Sequence, residues 1–181
     1  MSTINILGIS GSLRAQSRNT GLLRQVKLSL PPHVGFQIAD LSALPFYNAD
    51  YTTKPEAVQT LIHQVKEADA LVLACPEYNY SIAPALKNAL DWVSKETDTP
   101  FDGKAVAIMG AGGGMGTCRA QYHLRQVCVY LNLCPLNKYE VFTNAFSSSF
   151  NEQGDVSDPA LQKRIAEVMD ALLAWMTQLK K

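Results

Sequence analysis

Apolar residues in this chain switch repeatedly between short continuous runs and helix-spaced stripes, and that switching is the main guide to its secondary structure. The runs at 4–9 (INILGI), 36–41 (FQIADL), 70–75 (ALVLAC) and 105–110 (AVAIMG) are short and almost wholly apolar. Strands of a parallel sheet covered on both faces have this pattern, because neither face alternates toward water. A fifth strand is expected around 137–142. Between the runs, Val58, Leu61, Ile62 and Val65 recur at i, i+3, i+4 and i+7, and Leu86, Ala89, Leu90 and Val93 repeat the spacing. Each set therefore lies on one helix face. Another helix has its first apolar positions at Leu22 and Leu23. The last opens with Asp158 as N-cap and Pro159 at the first helical position, and carries Leu161, Ile165, Val168, Met169, Leu172 and Met176 along one stripe.

Alternating strands and helices predict an α/β three-layer sandwich, with a five-stranded parallel sheet in the order 2-1-3-4-5 and helices on both faces. No repeat, low-complexity segment or linker interrupts the pattern, so a single domain over 1–181 is expected. In such sheets ligands bind beyond the carboxyl ends of the strands, where strand order reverses. That directs attention to the loops after Ile9, Cys75 and Gly110.

Composition narrows the function. Hydrophobic residues make up 47% of the 181 and charged residues 18%, enough apolar surface to offset the entropy of ordering. Sixteen basic and sixteen acidic residues cancel, so no global field draws the chain to nucleic acid or anionic lipid, and any anion site must be local. No apolar run approaches the roughly 18 residues that span a bilayer. The first residues enter a strand pattern without a charged leader or cleavage site, which reads as a cytoplasmic protein with no membrane partner. Cys75, Cys118, Cys128 and Cys134 show no C-x-x-C spacing and read as reduced, mostly buried thiols, with no metal site expected.

The first loop, GSLRAQSRNT at 11–20, gathers hydroxyl and amide side chains and two arginines at a helix start. Free helix N–H groups and a guanidinium suit a phosphate; the simpler alternative is that Ser17 or Asn19 only caps the helix. No G-x-x-x-x-G-K-[ST] and no G-x-G-x-x-G is present, which leaves a mononucleotide phosphate monoester as the better fit. The second loop, CPEYNYSIAP at 75–84, is stiffened by two prolines and offers tyrosine faces to an aromatic heterocycle, although such tyrosines also pack on neighbouring helices. The third, GAGGGMGT at 110–117, holds five of the chain's 11 glycines, more than one turn requires, and reads as a ligand-facing loop.

Taken together, GSLRAQSRN at 11–19, PEYNYSIAPALKNALDW at 76–92 and GMGTCRAQYHLRQ at 114–126 resemble the NADPH-dependent FMN reductase family of flavodoxin-like flavoproteins, which includes quinone reductases, azoreductases and chromate-reducing enzymes. The resemblance runs to about residue 142. It implies an FMN-dependent oxidoreductase that takes hydride from NADPH or NADH and passes it to quinones, azo compounds, flavins or similar small molecules. It assigns the FMN phosphate to Ser12, Arg14, Ser17, Asn19 and Thr20, and the ribityl chain and isoalloxazine to Pro76, Glu77, Tyr78, Asn79, Tyr80 and Ser81. The pyrimidine edge falls to Gly112 and Gly113, where backbone N–H groups would stabilise charge arriving with hydride. The chain is richer in glycine at 110–114 than the family pattern, in which small hydroxyl residues are common. No side chain is expected to act as acid, base or nucleophile. A homodimer or homotetramer is implied, and Arg119, Tyr122, His123 and Arg125 read either as an interface or as the solvated face of a helix. The alternative is a flavodoxin-like FMN electron carrier without reductase activity; such carriers tend to be acidic and to lack arginine in the phosphate loop, so the neutral balance and Arg14 oppose it.

Overall fold

In the computed structural model, which describes residues 4–180, the apolar runs form a parallel sheet. Strand β1 (Ile4–Ser10) is flanked on one side by β2 (Val34–Ala39) and on the other by β3 (Ala70–Ala74). After β3 the chain makes a small antiparallel hairpin, β4 (Glu77–Tyr78) and β5 (Ser81–Ile82). Strand β6 (Ala105–Gly112) pairs with β3, and the last position of the sheet is divided between β7 (Cys134–Pro135) at the start of β6 and β8 (Val141–Asn144) at its end. The path is therefore the expected 2-1-3-4-5, with its fifth position split.

That split corrects the single strand expected at 137–142. Leu136 still donates to Val106 O at 2.8 Å, but the next residues leave the ladder. Arg125 donates to Leu136 O and to Asn137 Oδ1, both at 3.2 Å, and Arg164 donates to Glu140 O at 3.3 Å. Two guanidiniums thus hold the chain where strand pairing would otherwise continue. Strand β2 begins two residues before the apolar run suggested and stops at Ala39, because the Asp40 carboxylate accepts from Ser42 N at 2.8 Å and turns the chain. That hydrogen bond also holds the Asp40 carboxyl below its ordinary value.

Alternation along the strands separates two packed layers. Leu7, Ile9, Leu71, Leu73, Val106 and Ile108 point to one face, under α2 (Glu56–Glu67), α3 (Pro84–Val93) and α4 (Cys118–Tyr130). Ile6, Ala70, Val72, Ala74, Ala105, Ala107 and Met109 point to the other, under α1 (Arg18–Ser29) and α5 (Pro159–Leu179). Each fully buried large aliphatic side chain contributes about 1.5–3 kcal/mol, so this double-sided burial is what holds the sheet between its helices. Helix α5 starts as its sequence predicts: Asp158 Oδ1 accepts from Ala160 N at 2.9 Å, with Pro159 at the first position. No helix among the described residues is long and apolar enough to cross a membrane.

Connections from β1 to β2 and from β2 to β3 carry the chain to opposite sides of β1. Strand order therefore reverses between β1 and β3, and the loops after β1, β3 and β6 meet at that end of the sheet.

Candidate functional site

The loop after β1 is held in place from beneath. Gly11 N donates to Ala74 O at 2.9 Å, and a Cβ on Gly11 would come within 2.8 Å of Pro76 Cδ and 2.9 Å of Leu86 Cβ. Only glycine lets the two loops approach this closely. Ser10 Oγ then accepts from Ser12 N at 3.3 Å and from Thr20 Oγ1 at 3.1 Å, and Ser17 caps α1 by accepting from Thr20 N at 3.1 Å. Capping by Ser17 is the simpler alternative raised by the sequence, and it holds; the Ser17 hydroxyl proton is still free to donate outward.

Asn19 is buried, and its amide is committed to Ala111, donating to the carbonyl at 2.9 Å and accepting from the N–H at 3.0 Å. It braces α1 against β6 and does not line the cavity, and neither does Thr20. Both are thus placed as supports, apart from the phosphate contacts expected of them.

Beyond these braces lies a cavity of about 290 Å³, lined from the first loop by Ser12, Arg14, Gln16, Ser17 and Arg18, and from the second by Pro76, Glu77 and Tyr78. Ala111, Gly112 and Gly113 complete it from β6, with Ala145 and Phe146 from the segment after β8. All three loops singled out in the sequence converge on one hollow, close to the lower end of the usual ligand-site range of about 300–1,000 Å³. Arg18, Gln16 and the pair Ala145 and Phe146 were missed. The last two lie far from the other loops in sequence and carry no motif. Arg18 counts in the sequence only as one of the loop's two arginines, without a contact of its own.

The cavity is electropositive. Glu77 is its only acidic side chain, and that carboxylate is occupied: Oε2 accepts from Arg119 N at 3.1 Å and Ala120 N at 3.2 Å, and Oε1 from the Arg119 guanidinium at 3.1 Å. Glu77 therefore caps α4 with the carboxylate that was expected to border the heterocycle. Helix α1 has no acidic residue in its first turn to compete for an anion. Buried Arg18 Nε has no hydrogen-bond partner. Such an atom is costly unless a ligand satisfies it.

The glycine-rich segment divides into two parts. Gly110 and Gly112 belong to β6, where a Cβ would come within 2.0 Å of Thr117 Oγ1 and 2.4 Å of Gly116 O respectively. Close packing on Thr117 and Gly116, rather than loop flexibility, demands glycine there. Gly113 closes a turn by accepting from Gly116 N at 2.8 Å, and the Cα atoms of Gly113 and Gly114 face open space. The part of the segment that lines the cavity is Ala111 to Gly113.

Asn79, Tyr80 and Ser81 form the turn and return strand of the β4–β5 hairpin and stand outside the cavity. The Arg119 guanidinium lies 3.7 Å from the centre of the Tyr80 ring, and Ser81 Oγ is 3.1 Å from His123 Nδ1. Arg119, His123 and Arg125 thus have partners within their own chain, while Tyr122 is exposed. A second hollow of about 330 Å³, mostly apolar, adjoins the cavity and shares Arg14 and Tyr78 with it. A wider concavity, about 620 Å³ along α2, lies elsewhere; its lysines Lys54 and Lys66 already pair with Glu96. All four cysteines are unpaired, and burial pushes the Cys75 and Cys128 thiols up to about 12, so neither is a nucleophile at neutral pH.

Comparison with known proteins places this geometry. Residues 4–147 match the model of the NADPH-dependent FMN reductase family. Over 180 residues the chain is 44% identical to an NAD(P)H-dependent FMN reductase of Pseudomonas aeruginosa, covering 98% of this chain and 97% of that one. It is 42% identical over 185 residues to an NAD(P)H:quinone oxidoreductase of Solanum tuberosum, covering 98% and 95%. Among solved structures, the flavoenzyme NAD(P)H:(acceptor) oxidoreductase FerB of Paracoccus denitrificans superposes with a TM-score of 0.87 at 26% identity, covering 97% of this chain and 98% of that chain.

Proposed function

Because the chain belongs to the NADPH-dependent FMN reductase family, we propose that the cavity at the β1/β3 reversal holds its FMN and that small diffusible oxidants react there. The enzyme is an FMN-dependent NAD(P)H oxidoreductase, as its family and relatives are. The observation that carries the placement is the meeting of Arg14, Arg18, Ser12 and Ser17 with Tyr78, Gly112 and the open Gly113 backbone around one hollow.

The residues present fit the group. Arg14 and Arg18, with the hydroxyls of Ser12 and Ser17 and the positive end of α1, offer a phosphate both charge and hydrogen-bond donors. Tyr78 offers a ring face, and the absence of a Cβ atom at Gly113 leaves main chain open to a heterocycle edge. When bound, FMN supplies the hydride-accepting ring. The protein's part is to orient it, to place N–H dipoles at its electron-poor edge and to keep one face accessible. Apart from its two arginines, the cavity holds only Glu77 and Tyr78 as ionisable side chains, and Glu77 is engaged in capping α4. Positioning, rather than proton transfer by a side chain, is therefore the work assigned to this site.

Quinones, azo compounds and flavins are the acceptors we favour, taken up through the adjoining apolar hollow beside Tyr78. We read the chain as one FMN-binding domain, and its four unpaired cysteines favour a reducing, cytoplasmic setting. Assembly as a homodimer or homotetramer is supported by the exposed Tyr122, Val129 and Tyr130 on α4, at 54%, 80% and 82% accessibility. Anaerobic titration tests the reading. The purified protein should take up FMN with quenching of its fluorescence, NADPH should bleach the bound flavin, and a quinone should restore the colour. A protein that fails to take up FMN refutes the placement; one that takes it up but is not bleached is the electron carrier instead.

A further inference from the structure

Between β2 and α2 the chain runs from Asp40 to Pro55 without helix or strand, leaving β2 at the carboxyl end of the sheet. Loops that long are uncommon in compact domains and, where ordered, usually functional. This one is pinned at its middle. Pro45 O accepts from Asn88 Nδ2 at 2.9 Å and from Trp92 Nε1 at 2.7 Å, and Tyr47 N donates to Asn88 Oδ1 at 2.8 Å. The Tyr47 ring meets Trp92 edge-on, with centroids 5.0 Å apart. Buried Asn88 thus fixes the residues on both sides of Phe46, yet Phe46 itself is 76% exposed. Holding a large apolar ring in water gains nothing for the core, so the bracket around it calls for another reason.

Phe46 forms part of the wall of the apolar hollow of about 330 Å³ beside Tyr78, with Leu13, Leu41, Leu44, Pro84 and Ala85. The Asn88 amide also borders that hollow, but its nitrogen and oxygen are both committed to the loop. Among the described residues on the wall, only Arg14 is charged, and it also lines the neighbouring cavity, where it is assigned to the cofactor phosphate. A charged ligand would therefore enter the hollow without a partner, whereas neutral apolar surface gains by leaving water there. The hollow and the cavity share Arg14 and Tyr78, so a molecule whose reacting ring lies in the cavity can extend the rest of its body into the hollow.

Resting on the FMN placement above, we propose that Phe46 is a specificity-determining residue for the acceptor: its ring packs on the apolar body of a neutral quinone seated in the hollow and favours two-ring quinones over one-ring quinones. Phe46 touches the acceptor. Asn88 acts through Phe46, by holding Pro45 and Tyr47, and is a positioning residue. Ala85, in the first turn of α3, lines the same hollow, and its small side chain leaves the room that a second ring takes up.

The test is equilibrium dialysis of the FMN-loaded, oxidised protein, in which no turnover occurs, against tetramethylbenzoquinone and against a naphthoquinone methylated at both free positions of its quinone ring. Neither compound leaves a quinone-ring position open to thiol addition. Wild type should bind the two-ring compound more tightly. Phe46→Ala should raise the dissociation constant of that compound about 3- to 10-fold, as expected of one lost aromatic contact, and leave tetramethylbenzoquinone within about twofold. Phe46→Tyr should keep the preference, and Ala85→Leu, which fills the hollow from α3, should lower it. Asn88→Ala with wild-type circular dichroism should show the same selective loss as Phe46→Ala. A wild type without preference, equal weakening of both quinones, or an unchanged preference in Phe46→Ala or Asn88→Ala overturns the assignment. So does a fluorescence titration in which Phe46→Ala weakens FMN as much as the two-ring quinone, since the hollow would then belong to the cofactor. Failure of wild type to take up FMN instead overturns the underlying placement, which separates the two outcomes.

Discussion

Asn19 illustrates how much a single side chain does at this end of the sheet. Strand β3 ends at Ala74, paired with Met109, so Ala111 has no neighbouring strand on that side. The Asn19 amide supplies both missing hydrogen bonds, at 2.9 and 3.0 Å, in place of a continued strand. Asn19→Ala leaves a buried N–H and a buried carbonyl unpaired. At about 1–3 kcal/mol each, the flavin-free protein should lose about 2–6 kcal/mol of stability in urea denaturation. A loss below about 1 kcal/mol would mean that water replaces the amide. The sequence places Asn19 among polar residues at a helix start but does not record which way its amide turns, which is why it reads there as a phosphate ligand. Glu77 lines the cavity as expected, but its capping of α4 is hidden for the same reason, since its partners at Arg119 and Ala120 lie more than 40 positions away. The loop composition that points to an anion is legible; which members face inward is decided by the ends of other strands.

The β4–β5 hairpin shows the same division among elements. Asn79 and Tyr80, at φ of 51° and 68°, form a two-residue turn with both residues left-handed, the twist that suits a tight hairpin. Asn accepts this conformation readily, whereas a tyrosine there costs about 1–2 kcal/mol. Helix α4 offsets the cost through the Arg119 guanidinium over the Tyr80 ring, His123 against Ser81 and the capping carboxylate of Glu77. Arg119→Ala removes the stacking and, with it, the Arg119–Glu77 ion pair. Amide exchange at Tyr78 to Ser81 should then quicken by a larger factor than the exchange of β1 or β3; unchanged exchange at the turn would show that the hairpin holds without the clamp. Two-residue strands are too short to carry a period, so this element is invisible to pattern reading. The same limit hides the split fifth strand, where the polar run Asn137, Lys138 and Glu140 is tied down by Arg125 and Arg164. Strands β1, β3 and β6 are legible because burial on both faces leaves them continuously apolar, and α5 because its cap and stripe are both local.

At the scale of the whole molecule, a chain with no net charge faces both Arg14 and Arg18 into one cavity while its two apolar layers stay buried, and the buried layers have a measurable consequence of their own. Cys75 and Cys128 both lie in the layer beneath α2, α3 and α4, and burial raises their thiols from the ordinary 9.0 to about 12. In the folded protein they stay protonated through mildly alkaline pH, whereas in the unfolded chain they ionise from about pH 9. The unfolded state therefore binds fewer protons over that window, and stability falls as pH rises. The contribution of the two thiols is fully present below about pH 9 and is lost as pH climbs toward 12. Urea denaturation under reducing conditions at pH 8 and pH 10.5 isolates it when wild type is compared with Cys75→Ala/Cys128→Ala. Other groups titrate equally in both proteins, so wild type should lose more stability between the two pH values than the double variant does. Iodoacetamide at pH 8 should likewise leave both thiols unmodified until the chain is unfolded. Parallel losses in the two proteins would show that neither thiol is protected by the fold, and with that the dry packing of the layer around Cys75 and Cys128 would fail.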